Sequence, residues 1–340
     1  MDVAFTEEQE ALRDAVRDLL GDHCARERVR SVTESETGAD LDLYQRLAQM
    51  GVTDLPSLVE LGVALEECGR ALAPVPLVSA AGIAAPALAA AEMDVLLADL
   101  RAGQAIPVLA LEGEATLGDG IVQGVFHRVP EAHVATAIVL VASDEDRPRL
   151  VAVDAVDTPV EAHPTMDATR RLCTVRLEGA PVIAAGPAGE GNAALEAARL
   201  HGAVALAHEL VGVAHACLDM AVTHAKTREQ FGRPIGAYQA VSHRCADMFV
   251  ALEAARSHMY YAAWAVQEDT PDAALAASQA KAAASDAAVA CAQGAIQVHG
   301  GIGFTWEHDL HLYLRRARSG AALLGTASDH RRRIADLIGV

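Results

Sequence analysis

The 340 residues amount to about two domains, and a chain of this length buries most of its apolar surface without disulfide or metal staples. With 27 Lys and Arg against 46 Asp and Glu, the net charge is −19; such a surface repels phosphate backbones and anionic lipid heads, excluding generic nucleic-acid and membrane binding. Apolar residues make up 52% but aromatic ones only 4%, so the core is built from Ala, Leu and Val, the composition of closely packed helices.

The N-terminal stretch MDVAFTEEQEALRDAV is acidic and amphipathic, the opposite of a secretory signal. No apolar run approaches the ~20 residues that cross a bilayer; residues 82–91 are interrupted by Pro86. The expectation is a soluble, cytoplasmic protein. From Thr6 to about Arg101 the chain reads as helices. Thr6, followed by Glu8 and Gln9, is a start signal, and Leu12, Val16 and Leu19 or Leu20 recur at helical spacing. Residues 40–50 and 56–71 are two further amphipathic helices. Residues 73–76 (Ala-Pro-Val-Pro) break the pattern, and residues 84–101 form another helix closed by Gly103.

From Ala105 to about Ile183 the pattern turns strand-like. Residues 106–111, 121–126, 137–141, 150–153 and 172–177 are short apolar or β-branched runs separated by Gly, Pro and Asp turns. Their length and spacing predict a small antiparallel barrel or sandwich. No Gly-rich phosphate loop follows any of them, so a Rossmann or P-loop site has no support.

Residues 186–191 are a linker, and helices resume after it. Val241, Cys245, Met248, Leu252, Ala255, Met259, Ala262 and Val266 alternate three and four apart, a heptad-like seam on one wall of a four-helix bundle. Residues 273–298 and 308–324 are the next two helices. The predicted fold is α+β and mostly α. Residues 1–104 form an N-terminal helical domain, 105–185 a middle β-barrel or sandwich, and 186–340 a C-terminal four-helix bundle.

The six cysteines are scattered and read as buried small hydrophobes in a reducing compartment. His299, His308 and His311 surround a Gly turn without closely spaced acidic companions, so no metal site is expected. The tail Arg331–Arg333 is read as compensation for a helix dipole or as interface pairing, not as recognition of anions.

Two stretches say more than composition. In residues 226–239 an Ala-rich helix stops at Phe231-Gly232, Pro234 prevents its continuation, and a new helix starts near Ala237. Lys226, Arg228 and Arg233 crowd this corner. Either they hold a phosphate or pyrophosphate, or they offset a helix dipole; the spacing leaves both open. In residues 297–310, Gly300, Gly301 and Gly303 allow a sharp turn and close approach of backbone to a ligand.

Together, in this order, these stretches resemble the acyl-CoA dehydrogenase family. Its pattern R-x-x-F-G-x-x-I/L-x-x-x-Q is matched by Arg228, Phe231, Gly232, Ile235 and Gln239. Its Q-x-x-G-G-x-G-[FY] is matched by Gln297, Gly300, Gly301, Gly303 and Phe304, while residues 61–76 and 167–171 also look like the family. The resemblance implies a helical, β, helical fold that binds FAD across a dimer interface, usually as a dimer of dimers. It also implies oxidation of the Cα–Cβ bond of an acyl-CoA, with electrons passed to an electron-transfer flavoprotein. Carried over, Arg228, Phe231, Gln239, Gln297, Gly300, Gly301 and Thr326 bind the cofactor.

The sequence departs from the family at the catalytic glutamate. The usual position, before a Gly-Thr pair and twenty residues beyond Phe304, is Leu324; the alternative, ten residues before Gly212, is Gly202. Neither side chain accepts a proton, and an arginine that neighbours the base in several members is replaced by Ala203. The middle-domain segment T-E-P-x-x-G-S-D is represented only by residues 109–114, and an E-x-x-G-G loop is absent between Met50 and Val59. The expectation is a chain lacking the catalytic base that completes an FAD site in trans for a full-length partner, as in bacterial two-gene enzymes acting on steroid side chains, a heterotetramer. One alternative is a self-sufficient homo-oligomer with a displaced base: Glu209, on the face of Gly202, or Glu307, Asp309 or Asp329 near the end of the site. The other is a non-enzymatic assembly or binding protein on this fold.

Overall fold

The computed structural model describes residues 5–340, which divide into two compact units. One comprises residues up to 29, 57–73 and 203–340; the other, residues 30–56 and 74–202.

In the unit holding the strands, α3 (Leu41–Gln49) starts under an Asp40 cap, whose carboxylate accepts from the Leu43 N–H. The predicted helix over residues 84–101 is two pieces, α5 (Ala85–Ala90) and α6 (Asp94–Arg101), and a π-helical stretch Val78–Ala84 leads into the first. Glu92, at φ 53, turns the chain between α5 and α6. Seven strands follow: β1 (Pro107–Ala110), β2 (Glu112–Gly118), β3 (Ile121–Pro130), β4 (Ala137–Asp144), β5 (Arg147–Asp154), β6 (Val160–Ala162) and β7 (Leu172–Ala185). Strands β4, β2, β3, β7 and β5 close into a ring, because β5 pairs with both β7 and β4. The barrel is not wholly antiparallel as predicted: β1 and β2 both run parallel to β4, lying in turn along its first and last residues. Val122, Phe126, Leu140, Val151 and Val175 fill its interior. The family-like segment 167–171 is largely a buttress here. Arg170 is buried, and the Arg171 guanidinium donates to the carbonyls of Ser35 and Glu36 in the space left by the side chain that Gly38 lacks.

The other unit is helical. In α1 (Glu7–His23) the Thr6 hydroxyl accepts from Gln9 N–H and the Gln9 side chain accepts from Thr6 N–H, the capping box that the sequence suggested. The short α2 (Arg26–Glu34), which no predicted element covered, follows. Then come α4 (Leu58–Ala71), α7 (Gly191–Thr227), α8 (Gln239–Gln267), α9 (Ala273–His299), α10 (Leu310–Ala322) and α11 (Ala327–Ile338). The last was not predicted either: its sequence ASDHRRRIADLI shows one apolar ridge on a polar helix. The heptad seam of α8 is buried from Met248 onward, while Val241 and Cys245 are only half covered. Cys291 and Gly294 of α9 face Met248, the missing side chain of Gly294 making room for the thioether.

Among the described residues, α7 is one helix long and apolar enough, by length and composition, to cross a membrane, contrary to the expectation that no such run exists; 83% of its apolar window is buried inside the protein.

Candidate functional site

The first family-like stretch is not a helix corner but a hairpin. Helix α7 ends at Thr227, four residues earlier than predicted, and Glu229–Gln230 (β8) pairs with Arg233–Pro234 (β9) across a two-residue turn. Phe231 and Gly232 form that turn at φ 54 and 78, the left-handed pair that a tight hairpin requires. The Tyr238 hydroxyl donates to the Gln230 carbonyl at 3.1 Å, and the Arg233 guanidinium lies 4.2 Å over the Tyr238 ring. Phe231 therefore projects from the tip, 94% exposed.

The second stretch caps α9. Gly300, at φ 62 and ψ −137, adopts a backbone that side-chain-bearing residues avoid, and nothing lies within 4 Å of where a Cβ would stand on Gly300 or Gly301. The two stretches meet through stacked rings: His224, whose carbonyl accepts from the Arg228 N–H at 2.8 Å, lies on His299 with centroids 4.2 Å apart. Helix α8 runs back along α9 through the Met248–Gly294 contact, so Gln239 at its start stands at the same end. Arg228, Phe231, Gln239, Gln297, Gly300 and Gly301 thus gather at one end of the bundle, and all are exposed. Thr326, also exposed, does not join them. Its neighbour Gly325 is bonded to Lys281, which lies sixteen residues before Gln297 on α9, or about 24 Å.

This donor set fits a dinucleotide: a guanidinium and open glycine backbone suit a diphosphate, and two primary amides suit sugar or base edges. Arg228, Gln297, Gln239 and the Gly300–Gly301 backbone would hold it. A bound flavin would supply the hydride-accepting centre; these residues would supply binding and orientation.

Where the family's base would stand, Leu324 has left-handed backbone (φ 57) and a half-buried side chain, and Gly202 is buried in α7. The corner is held from below. Lys281 Nζ donates to the Gly325 carbonyl (3.1 Å), the Ala321 carbonyl (3.3 Å) and the Ser285 hydroxyl (3.1 Å), and His330 Nε2 donates to the Leu324 carbonyl at 3.1 Å. Lys281 was missed from the sequence, though a single lysine in the Ala-rich α9 is the signal that marks it. Burial pushes its ammonium down to about 7 from 10.5. Between those values the unfolded chain binds more protons than the folded one, so this residue's contribution to stability rises with pH across that window. Urea midpoints at pH 7 and pH 9 are expected to rise by less in Lys281→Met than in the wild type.

The candidate displaced bases are placed elsewhere. Glu209 is buried and accepts from Arg316 Nη1 at 3.0 Å, with both side chains at most 5% exposed. Glu307 is exposed beside Trp306. Asp309 is buried at the start of α10, 3.3 Å from Arg26, and Asp329 caps α11 through Thr326. The Thr326 hydroxyl and N–H hold that carboxylate below its ordinary range.

A further polar cluster lay hidden in the Glu66-Glu67-Cys68-Gly69-Arg70 run. Burial would raise Glu66, but His215, Arg256 and Tyr260 outweigh it and hold the carboxyl at about 2. Arg256 donates to it at 3.0 Å and the Tyr260 hydroxyl at 2.8 Å, on the wall of a cavity of about 760 Å³.

Residues 189–339 match the family described as "Acyl-CoA dehydrogenase, C-terminal domain". The chain is 35% identical to the acyl-CoA dehydrogenase IpdE2 of Mycobacterium tuberculosis over 340 aligned positions, covering 96% of each chain. It is similar to the solved Tcur3481-Tcur3483 steroid ACAD G363A variant (32% identity, TM-score 0.88, 98% of each chain). It also resembles the ChsE4-ChsE5 complex of M. tuberculosis (27% identity, TM-score 0.91, 99% of each chain). With a family relative matched over nearly its whole length and the fold the same throughout, the chain belongs to the acyl-CoA dehydrogenase family, a family of FAD-dependent oxidoreductases.

Proposed function

We propose that this chain is the subunit of an acyl-CoA dehydrogenase that lacks the catalytic base and lends the diphosphate end of an FAD site to a full-length partner. One observation carries this reading. The six residues gathered at the hairpin end of the bundle are all exposed, as a site completed by another chain requires, while both base positions hold side chains that cannot take a proton. Glu209 offers no substitute, because its carboxylate is already committed to Arg316. Two solved relatives whose names join two chains support the heteromeric part of the reading. The name of the first also supports a steroid acyl-CoA as the substrate class. The partner would carry the base and the acyl pocket, with an electron-transfer flavoprotein as electron acceptor. A cytoplasmic location suits such a complex.

The test is a visible absorption spectrum. Purified alone, the chain is expected to be colourless; co-expressed with a full-length homologue from its own gene neighbourhood, it is expected to be yellow, with one FAD per pair of unlike subunits. Arg228→Ala in the complex is expected to lower flavin occupancy. General-base help is worth ~10²–10⁴ in rate, so the isolated chain should be slower than the complex by at least that range. Full dehydrogenase activity from the isolated wild type overturns the proposal.

A further inference from the structure

The end of the bundle that carries the cofactor residues also holds three histidines to which no role has yet been given. His224 and His299 stack with 21° between their planes, and His308 meets His299 edge-on at 4.6 Å. They line a cavity of about 320 Å³, together with Thr223, Thr227 and Arg26. Stacked faces do not aim their nitrogens at one point, and among the described residues no group of three His, Cys, Asp or Glu side chains is placed to hold a metal ion. Hydroxyls, imidazoles and a guanidinium suit an anion instead.

The charged groups facing the trio come from several elements. Arg228 faces His224 from beyond the end of α7, while Arg26 of α2 and Asp309 at the start of α10 face His308. Asp219 of α7 also lines the cavity, but its carboxylate is bound by Arg70 at 2.6 Å. All three imidazoles are held below their ordinary range. Burial is the largest cause for each, and neighbouring cationic and histidine groups push His224 and His308 the same way. The three imidazoles are therefore uncharged at pH 7.

Hydrogen bonds identify where a proton goes. His299 Nδ1 lies 2.8 Å from the Ala295 carbonyl and must donate to it, which leaves Nε2 as the basic atom. His308 Nδ1 accepts from the Leu310 N–H at 3.3 Å, so protonation there forfeits a bond. The stacked pair is the better receiver, and it accommodates one cation, because a second in contact with the first is repelled.

We propose that the His224–His299 pair takes up one proton when a dinucleotide diphosphate docks at this end of the bundle, making cofactor binding proton-linked. This rests on the cofactor assignment made for Arg228, Gln297 and the Gly300–Gly301 backbone.

The test is calorimetric titration with FAD of the full chain, and of its co-expressed complex stripped of flavin. Runs at pH 6, 7 and 8 use two buffers of different ionisation enthalpy. Uptake of one proton makes affinity rise by up to about tenfold for each unit of falling pH, and the apparent binding enthalpy then depends on the buffer. In wild-type protein, NMR titration of the imidazole carbon-bound protons is expected to show the pair titrating at higher pH once FAD is added. His299→Phe keeps a ring in the stack and is expected to bind FAD with a flattened pH dependence. Tight binding that is independent of pH, with no proton uptake, overturns the proposal and leaves the cofactor assignment standing. Proton uptake that persists in both His299→Phe and His224→Gln also overturns it. Failure of FAD to bind the stripped complex overturns both.

Discussion

Arg316→Ala is expected to lower the unfolding free energy by about 3–5 kcal/mol, measured from urea denaturation at pH 7. The guanidinium and the Glu209 carboxylate are 1% and 5% exposed, and Arg316 also donates to the Ala73 carbonyl at 3.3 Å. Removing the cation leaves Glu209 charged and buried between α4 and α10, with one of its acceptor oxygens deprived of a donor. The cost is therefore that of the orphaned partner rather than the net worth of the pair. A second variant separates the two: Glu209→Leu combined with Arg316→Met, which removes both charges, is expected to recover most of the loss. A loss of under ~1 kcal/mol from Arg316→Ala, the range of exposed pairs, would show that solvent reaches the site and would reopen Glu209 as a proton acceptor.

Gly212→Ala is expected to be the next most damaging change. Helices α7 and α4 touch here backbone to backbone: a Cβ on Gly212 would run into the Glu66 carbonyl oxygen and crowd the Arg70 N–H. Neither obstacle is a side chain that can rotate away, so the helices must separate, and overpacking of this kind costs about 1–3 kcal/mol, sometimes more. The damage also reaches Glu66, whose carboxylate is the hub joining Arg256 and Tyr260. Gly21→Ala in α1 is the control. Nothing lies within 4 Å of its Cβ position, and losing a helical glycine there is expected to stabilise by about 0.5–1 kcal/mol. Equal midpoints for the two variants would contradict the close approach of α4 and α7.

What was legible in the sequence was local or periodic. The Thr6 cap and the α8 seam each depend on residues within a turn or two of one another, so they can be read directly from spacing. Strands rich in Val and Ile were found, whereas β2, with the sequence EGEATLG and only Ala115 buried, carries almost no apolar alternation and was not. Its partner β3 and the end of β4 make it a strand. The hairpin at Phe231-Gly232 escaped because Phe is an uncommon occupant of a left-handed turn position. The candidate cofactor residues rest on a resemblance to a family, and their gathering at one end of the bundle depends on the His224–His299 contact, 75 positions apart in the chain. Glu66 with Arg256, and Lys281 with Gly325, are likewise pairings that no window of sequence contains.

The closure of the barrel limits how this protein can associate. A ring of five strands leaves few free N–H and C=O groups, the thinnest seam being the two residue pairs that join β2 to β4. The strands outside that ring are the four-residue, fully buried β1 and the three-residue β6, besides the two-residue arms of the hairpin. Such a barrel presents little template for strand addition or for edge-to-edge aggregation. Recognition between chains is left to side-chain surfaces, where shape and charge discriminate among partners more sharply than a generic backbone edge does.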